Sequence, residues 1–321
     1  MNKNKKDKIL VTGCAGFIGM HLCKSLLRDD YQVYGIDNFN DYYDPNLKKE
    51  RLNKLSTNKN FSFTRLDISD LKPLEKVFSS FKPDKVVNLA AQVGVRYSLE
   101  NPHAYIKSNM VGFMNILECC RRNIVQGLIY ASSSSVYGAN SKIPFAVNDP
   151  VNQPISIYAS TKRANELMAH TYSHLYGIHT TGLRFFTVYG SWYRPDMAMY
   201  IFAKNISKGL SIPIFNHGNI KRDFTYIDDI INGMRSAIEK NYKCKIFNLG
   251  NNKSENIMEV INIIEDCLEK KAKYDFHDMQ PGDVEQTFAE IDESFKLLEY
   301  KPSTSIQIGI PKFIKWFKHY Y

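Results

Sequence analysis

Short apolar runs separated by longer amphipathic stretches mark the first half of the chain. "KILVTG", "QVYGID", "FSFTRLD", "KVVNLAA", "GLIYASS" and "HTTGLRFF" have the length and the β-branched and aromatic content of strands, with helical patterns between them. Strands buried on both faces read as near-continuous apolar runs, and parallel neighbours need a crossover long enough for a helix. The pattern therefore predicts right-handed βαβ units and a doubly wound parallel sheet of the α/β class. After about residue 187 the alternation loosens. Pro195 and Pro213, the short strand candidates "IPIF" and "KIFNLG", and helical patterns near 197–208, 228–240, 257–270 and 304–319 predict a smaller C-terminal α/β lobe. The expected division is residues 1–186 and 187–321, with segments of about 222–250 able to return to the first domain. No internal repeat or low-complexity linker is present.

Composition narrows the class. With 321 residues, 44% apolar and 23% charged, the chain falls among ordinary globular proteins and outside the disordered and collagen-like classes. No apolar run reaches the roughly 18 residues of a membrane span. The basic start "MNKNKKDK" leads into "ILVTGCAGFIGMHL" without a signal-type cleavage site, so a cytoplasmic protein is expected. The six cysteines, at 14, 23, 119, 120, 244 and 267, form no CxxC pair and are read as reduced, mostly buried thiols. His170 and His174 have helical spacing, but Thr171 stands where a zinc protease needs glutamate and no third ligand is evident, so no metal is expected.

The net charge of +9 comes largely from scattered lysines and suits an anionic small substrate better than nucleic acid or a membrane. In "KFIKWFKHYY", Phe313, Trp316, Phe317 and Tyr320 recur at helical spacing among Lys312, Lys315 and Lys318. This is read as a terminal helix docking on the core rather than one lying on a lipid surface.

"VTGCAGFIG" places Gly13, Gly16 and Gly19 between a predicted strand and a predicted helix. Glycines there allow a tight turn, admit a pyrophosphate close to the helix N-terminus and let helix and strand pack closely. Asp37 ends the second strand eighteen residues after Gly19. Its carboxylate is suited to accept hydrogen bonds from both adenosine ribose hydroxyls and to repel a 2′-phosphate, so NAD is favoured over NADP. Asp67 ends the third strand, within reach of an adenine, and the small Ala90 and Ala91 of "NLAAQ" leave room for a ligand.

"YASTK" sets Tyr158 and Lys162 one helical turn apart on a single face. A cation ~5 Å from a phenol, at an effective dielectric of ~20, favours the phenolate by about 3 kcal/mol, enough to bring a general base toward neutral pH. Together with "VTGCAGFIG" and "ASSSSVYG" at 131–138, this motif resembles the extended short-chain dehydrogenase/reductases, and among them the nucleotide-sugar epimerases. The resemblance runs from about residue 8 to 319. It is narrowed by "YYDPNLKKERL", "AAQVGVRYSLENPHAY", "NELMAHTYSHLYG", "RFFTVYGSWYRPDMA" and "KRDFTYIDD" to members acting on UDP-glucuronate.

The resemblance implies a Rossmann-type NAD domain and a UDP-sugar-binding lobe. It implies that Tyr158 is the general base, Lys162 its electrostatic partner and Ser133 the hydroxyl that binds the sugar oxygen. Cofactor contacts are implied for Gly13, Gly16, Phe17, Ile18, Gly19, Asp37, Asn38, Asp67, Ile68, Leu89, Ala90, Ala91, Gln92 and Ser108 as well as Tyr158 and Lys162. Substrate contacts are implied for Arg96, Ser134, Ser135, Thr187, Arg194, Arg222, Tyr226 and Asp283, with Arg222 on the UDP diphosphate and Asp283 near the uridine ribose. The Asp-Glu pair of the sugar 4,6-dehydratases is replaced by Ser134 and Ser135. Related epimerases read "GPWGRPDM" where this chain has Ser191 for proline and Tyr193 for glycine.

The expected reaction is C4 epimerisation of UDP-glucuronate to UDP-galacturonate through a transient 4-keto sugar, with tightly bound NAD recycled in each cycle. UDP-glucuronate decarboxylation, UDP-glucose 4-epimerisation and a non-catalytic NAD-sensing role are the alternatives. The helices expected at about 103–122 and 157–176 occupy the positions through which family members form a four-helix interface, implying a homodimer.

Overall fold

The computed structural model describes residues 6–279 and 284–321. The chain begins with β1 (Lys8–Thr12), α1 (Phe17–Arg28), β2 (Gln32–Asp37), α2 (Pro45–Ser56), β3 (Phe61–Arg65), α3 (Leu71–Phe81) and β4 (Lys85–Asn88). Then α4 (Tyr97–Glu100) and α5 (Pro102–Tyr105) lead through a π-helical stretch, Ile106–Val111, into α6 (Gly112–Arg122). After β5 (Gly127–Ser133) and a 3₁₀ turn, Ser134–Tyr137, come α7 (Ile157–Tyr176), β6 (His179–Phe185), β7 (Thr187–Tyr189) and α8 (Ala198–Ser207). The next elements are β8 (Ser211–Phe215), β9 (Lys221–Arg222), β10 (Phe224–Tyr226) and α9 (Ile227–Lys240). The chain closes with β11 (Cys244–Leu249), β12 (Glu255–Asn256), α10 (Ile257–Leu268), β13 (Lys273–His277), α11 (Asp292–Leu298) and α12 (Ile306–Tyr320).

Two compact units result. The first comprises residues through Gly138, Val151–Arg184 and Met234–Phe247; the second comprises Ala139–Pro150, Phe185–Gly233 and Asn248–Tyr321. In the first, a seven-stranded sheet has the order β3-β2-β1-β4-β5-β6-β11, with the pairs β1–β2, β2–β3, β1–β4 and β4–β5 parallel. This is the doubly wound Rossmann order, reversing direction between β1 and β4, where ligands of such sheets bind. Leu10, Ile36, Val86 and Leu128 of the strands share one buried cluster with Leu74 and Phe78 of α3 and Phe113, Ile116 and Leu117 of α6.

"KIFNLG", within the 222–250 segments able to return to the first domain, supplies β11 at the edge of the main sheet, because α9 returns the chain alongside β6, where Thr180 N–H donates to the Lys243 carbonyl at 3.0 Å. One expectation changes. The helix expected at 103–122 is wound as α5, the π stretch and α6. Within the π stretch the Asn109 carbonyl accepts from Asn165 Nδ2 at 2.7 Å, a side-chain insertion suited to a π bulge.

In the second unit β7 pairs with β10 and β8 with β13 in parallel, while β9 pairs with β12 antiparallel. Helices α8, α10 and α12 bury Phe202 and Ile206, Val260, Ile261 and Ile264, and Ile310, Phe313, Ile314 and Phe317 respectively. Helix α12 thus turns its apolar stripe inward and leaves Lys312, Lys315 and Lys318 exposed. Cys14, Cys23, Cys119 and Cys120 are buried thiols, Cys267 is half-buried and Cys244 is exposed. Among the described residues no helix is long and apolar enough to cross a membrane, and no group of three or more His, Cys, Asp or Glu side chains is placed to hold a metal ion.

Candidate active site

The glycine loop is closed by contacts that leave no room for a Cβ. Gly13 has φ +70°, and a Cβ on it would lie 2.8 Å from the Ala90 nitrogen and 2.9 Å from the Leu89 carbonyl carbon. A Cβ on Gly19 would meet the Gly13 carbonyl oxygen at 2.1 Å. The close approach of β1 to the chain after β4 is held by Ala90 N–H donating to Thr12 Oγ1 at 3.1 Å, while Thr12 Oγ1 donates to Asn88 Oδ1 at 2.7 Å. Gly16 is the N-cap of α1, with no side-chain cap and no acidic residue in the first turn. The leading N–H groups, at Phe17, Ile18 and Gly19, therefore present a positive helix end to an anion.

Asp37 is buried at the end of β2. Its Oδ2 accepts from Ala15 N–H at 3.2 Å and its Oδ1 from Phe39 N–H at 2.9 Å. Burial raises this carboxyl above the usual range, against the opposing pull of the Phe39 amide, Lys48, the Ala15 amide and Arg51. Asn38 Nδ2 donates to Asp67 at 3.2 Å, and Asp67 also accepts from the N–H and hydroxyl of Ser69 at 2.9 and 2.8 Å. Burial raises the Asp67 carboxyl, but these donors and Lys107 outweigh it, so the net shift is downward.

Gly13, Gly16, Ile18, Ala90 and Ala91 remain partly exposed, Ile68 is buried and Ser108 is half-exposed on the π stretch. Gln92 is buried, and its Nε2 has no hydrogen-bond partner among the described residues, which leaves a donor available to a ligand. An uncapped helix N-terminus, a buried carboxylate at the end of β2 and this donor fit a dinucleotide such as NAD.

Beside this cradle, Ser156 caps α7 by accepting from Ala159 N–H at 3.1 Å, which sets Tyr158 in the first turn. Lys162 follows one turn later. It is buried and donates to the Ala131 carbonyl at 2.9 Å, and its Nζ lies 5.9 Å from the centre of the Tyr158 ring. Burial lowers the Lys162 ammonium to about 8. Ser133 ends β5, where its Oγ donates to Ser135 Oγ at 3.1 Å and accepts from Ser135 N–H at 3.2 Å. Ser134 and Ser135 form the following 3₁₀ turn, and Arg96 is exposed just before α4.

Two residues absent from the sequence reading support this set. Asn109 is buried; its Oδ1 accepts from Gln92 N–H at 2.8 Å, and its Nδ2 donates to the Gln92 carbonyl and to Thr161 Oγ1, both at 3.0 Å. Thr161 in turn donates to the Tyr158 carbonyl at 2.8 Å, so one amide links the end of β4 to the first turn of α7. Glu166 lies one turn beyond Lys162 and accepts from Ser132 Oγ at 2.7 Å. Its i+4 spacing was the available signal; Ser132 and Arg184, which it joins, are distant in the chain.

The remaining substrate candidates lie in the second unit. Thr187 opposes Phe224 across the β7–β10 pair, two residues from both Arg222 and Tyr226. Thr187 N–H donates to the Asp223 carbonyl at 3.0 Å. Tyr226 is buried, its ring 5.5 Å from Tyr189, and burial pushes its hydroxyl up to about 12. Arg222 Nη1 donates to the carbonyls of Lys221 and Glu285 at 3.0 and 3.2 Å. Arg194 forms a two-pronged pair with Asp196, its Nε at 3.0 Å from Oδ1. Tyr193 is buried against Phe313 with ring centres 5.9 Å apart. Asp283 lies outside the described residues.

Comparison with known proteins places this geometry. Residues 9–250 match the model of the NAD dependent epimerase/dehydratase family. The protein CapI of Staphylococcus aureus is 50% identical over 98% of this chain and 99% of its own length. UDP-glucuronate 4-epimerase 4 of Arabidopsis thaliana is 46% identical over 99% of this chain and 77% of its own. A crystal structure of UDP-glucuronic acid 4-epimerase from Bacillus cereus, in complex with UDP-glucuronic acid and NAD, superposes with a TM-score of 0.92 at 37% identity, covering 98% of this chain and 100% of that one.

An acid at the end of the second strand of such a sheet accepts from the ribose hydroxyls and repels a 2′-phosphate, and Asp37→Ala tests that role here. The NAD-to-NADP affinity ratio of Asp37→Ala, read by calorimetric titration of stripped protein, should fall at least tenfold. An unchanged ratio would place the discriminating acid elsewhere.

Proposed function

Because the chain belongs to the NAD-dependent epimerase/dehydratase family, we propose that it is a UDP-sugar 4-epimerase that interconverts UDP-glucuronate and UDP-galacturonate. The observation that carries the reading is that Lys162, one turn after Tyr158 on α7, is fastened to Ala131 of β5, the strand that Ser133 ends. NAD, when bound, accepts the hydride from C4 and returns it to the other face of the sugar. Tyr158 takes the C4 hydroxyl proton as general base and later gives it back. Lys162 supports the phenolate electrostatically, and at neutral pH an ammonium titrating at about 8 is mostly charged. Ser133 holds the same sugar oxygen and shares its proton with the tyrosine. This complete acid–base set also weighs against a protein that only senses NAD.

Oxidation at C4 of a uronate creates a β-keto acid, which loses carbon dioxide fastest when the bond to the carboxylate stands perpendicular to the new carbonyl plane. An epimerase must therefore hold that bond out of alignment. We assign carboxylate restraint to Thr187 and Arg194, the latter oriented by Asp196, with Ser134, Ser135 and Arg96 as further polar groups for the sugar. Arg222 is assigned to the diphosphate, which suits a guanidinium fork, and Tyr226 and Asp283 to the remaining substrate contacts.

We further assign a homodimer through the π stretch with α6 and through α7. Ile106, Val111, Met114, Leu167 and Leu175 are exposed apolar side chains there, with Leu167 at 53% and Leu175 at 60%, a concentration that suits a subunit interface. Leu167→Lys should shift sedimentation from dimer to monomer; an unshifted dimer would move the interface elsewhere.

Tyr158→Phe deletes the proton acceptor and little volume, so turnover of UDP-glucuronate, followed by NMR of the products, should be lost while NAD stays bound. Activity within tenfold of wild type would sink the assigned role.

Thr187→Val and Arg194→Ala should lower epimerisation and let a UDP-pentose by-product appear. If neither variant loses activity or releases carbon dioxide, the restraint lies with other groups. UDP-pentose as the main wild-type product would favour a decarboxylase, and conversion of UDP-glucose alone would favour a neutral-sugar epimerase.

A further inference from the structure

The carboxylate of Glu166 is shared by groups from β5, α7 and β6. Its Oε1 accepts from Ser132 Oγ at 2.7 Å and Arg184 Nε at 2.8 Å; its Oε2 accepts from Arg184 Nη2 at 3.0 Å and Arg163 Nη1 at 2.9 Å. The remaining arm of Arg184, Nη1, donates to Tyr137 Oη at 3.0 Å, and the guanidinium lies 4.9 Å from the centre of the Tyr137 ring. The Glu166 and Arg184 side chains are 0% and 2% exposed.

Such a pair is not explained by stability alone. Removing two charges from water costs several kcal/mol per ion, and apolar residues of similar volume often serve a fold as well or better. What apolar packing does not supply is direction. Ser132 immediately precedes Ser133, and Tyr137 closes the turn that carries Ser134 and Ser135. Lys162 already ties Ala131 to α7, and Glu166, one turn on, ties Ser132. Consecutive residues of β5 are thus each fastened to the helix that bears Tyr158, Ala131 through its carbonyl and Ser132 through its side chain, and Ser133 is the next residue of the strand.

We propose that the buried Glu166–Arg184 pair is a positioning element for the reaction, locking the serine strand end and its turn in register with the Tyr158–Lys162 helix. This rests on the epimerase reading above, and it assigns the pair a role in turnover that hydrophobic substitution cannot replace. Neither residue touches the reacting atoms; both act through Ser132, Tyr137 and the backbone they fix.

The test is the holoenzyme of the double variant Glu166→Leu/Arg184→Met, which removes both buried charges together and leaves Arg163, 27% exposed, to solvent. Its NAD content should stay near wild type, and its melting temperature should fall only by what the released Ser132 and Tyr137 hydroxyls cost. Its kcat should fall by about 10- to 100-fold with little change in KM, since misplacement of about 1 Å carries losses of that size. Amide hydrogen exchange across residues 131–138, measured without substrate, should accelerate, while exchange in β1 and β4 should not. Wild-type kcat together with wild-type exchange would overturn the proposal and leave the pair a purely structural one.

If the double variant does not fold, Arg184→Lys decides. It keeps the charge and loses the fork, so it should keep stability and lose kcat, and full activity would again overturn the proposal. Wild-type protein that does not convert UDP-glucuronate would count against the substrate reading, and the exchange measurement would still judge the positioning role.

Discussion

The Lys162 ammonium is withdrawn from solvent and held by the Ala131 carbonyl at 2.9 Å, and the helix that bears Tyr158 and the strand that ends in Ser133 are joined at that contact. Burying a cation is unfavourable, as the downward shift of Lys162 to about 8 records. It is tolerated because the acceptor cannot move away: Ala131 lies within β5, which is flanked in the sheet by β4 and β6. The same contact ties α7 to β5 one turn after Tyr158, and the Ser156 cap fixes the start of the helix just before it. A cation fixed near a phenol, in a place where water does not screen it, is the electrostatic requirement for a tyrosine to work as a base near neutral pH.

The cofactor cradle depends on a different constraint, the absence of side-chain atoms. A Cβ on Gly13 would lie within 3 Å of backbone atoms of Leu89 and Ala90, and one on Gly19 closer still to the Gly13 carbonyl. With these contacts β1, the loop after it and the end of β4 form one surface at the point where the sheet order reverses. Asn109 extends the surface toward chemistry, pairing with the backbone of Gln92 on one side and with Thr161 on the other.

In the second unit a buried acid performs the comparable task. Asp223 accepts from the amides of Asn251 and Ala289 at 2.6 and 3.1 Å and from Thr225 Oγ1 at 3.1 Å, although burial pushes its carboxyl up to about 6. Its own carbonyl receives Thr187 N–H. The residues assigned to the substrate, Arg222, Tyr226 and Thr187, are set around this anchor on β9, β10 and β7.

What could be read directly from the chain was whatever local periodicity encodes. The glycine spacing, the acid at the end of β2 and the Tyr158–Lys162 turn each involve residues whose relation is set by one strand, one turn or one helix, so the α/β class and the expectation of NAD were legible from the chain. Tertiary structure decided the rest. It placed "KIFNLG" in the main sheet as β11, broke the 103–122 helix with a π stretch around Asn109, buried Tyr193 against Phe313 and turned Arg194 onto Asp196. It also joined Glu166 to Ser132, 34 residues earlier, and to Arg184, 18 residues later. Helical and strand periods say which face a side chain occupies; which distant group meets that face depends on the order in which strands enter the sheet, and no local spacing carries that order.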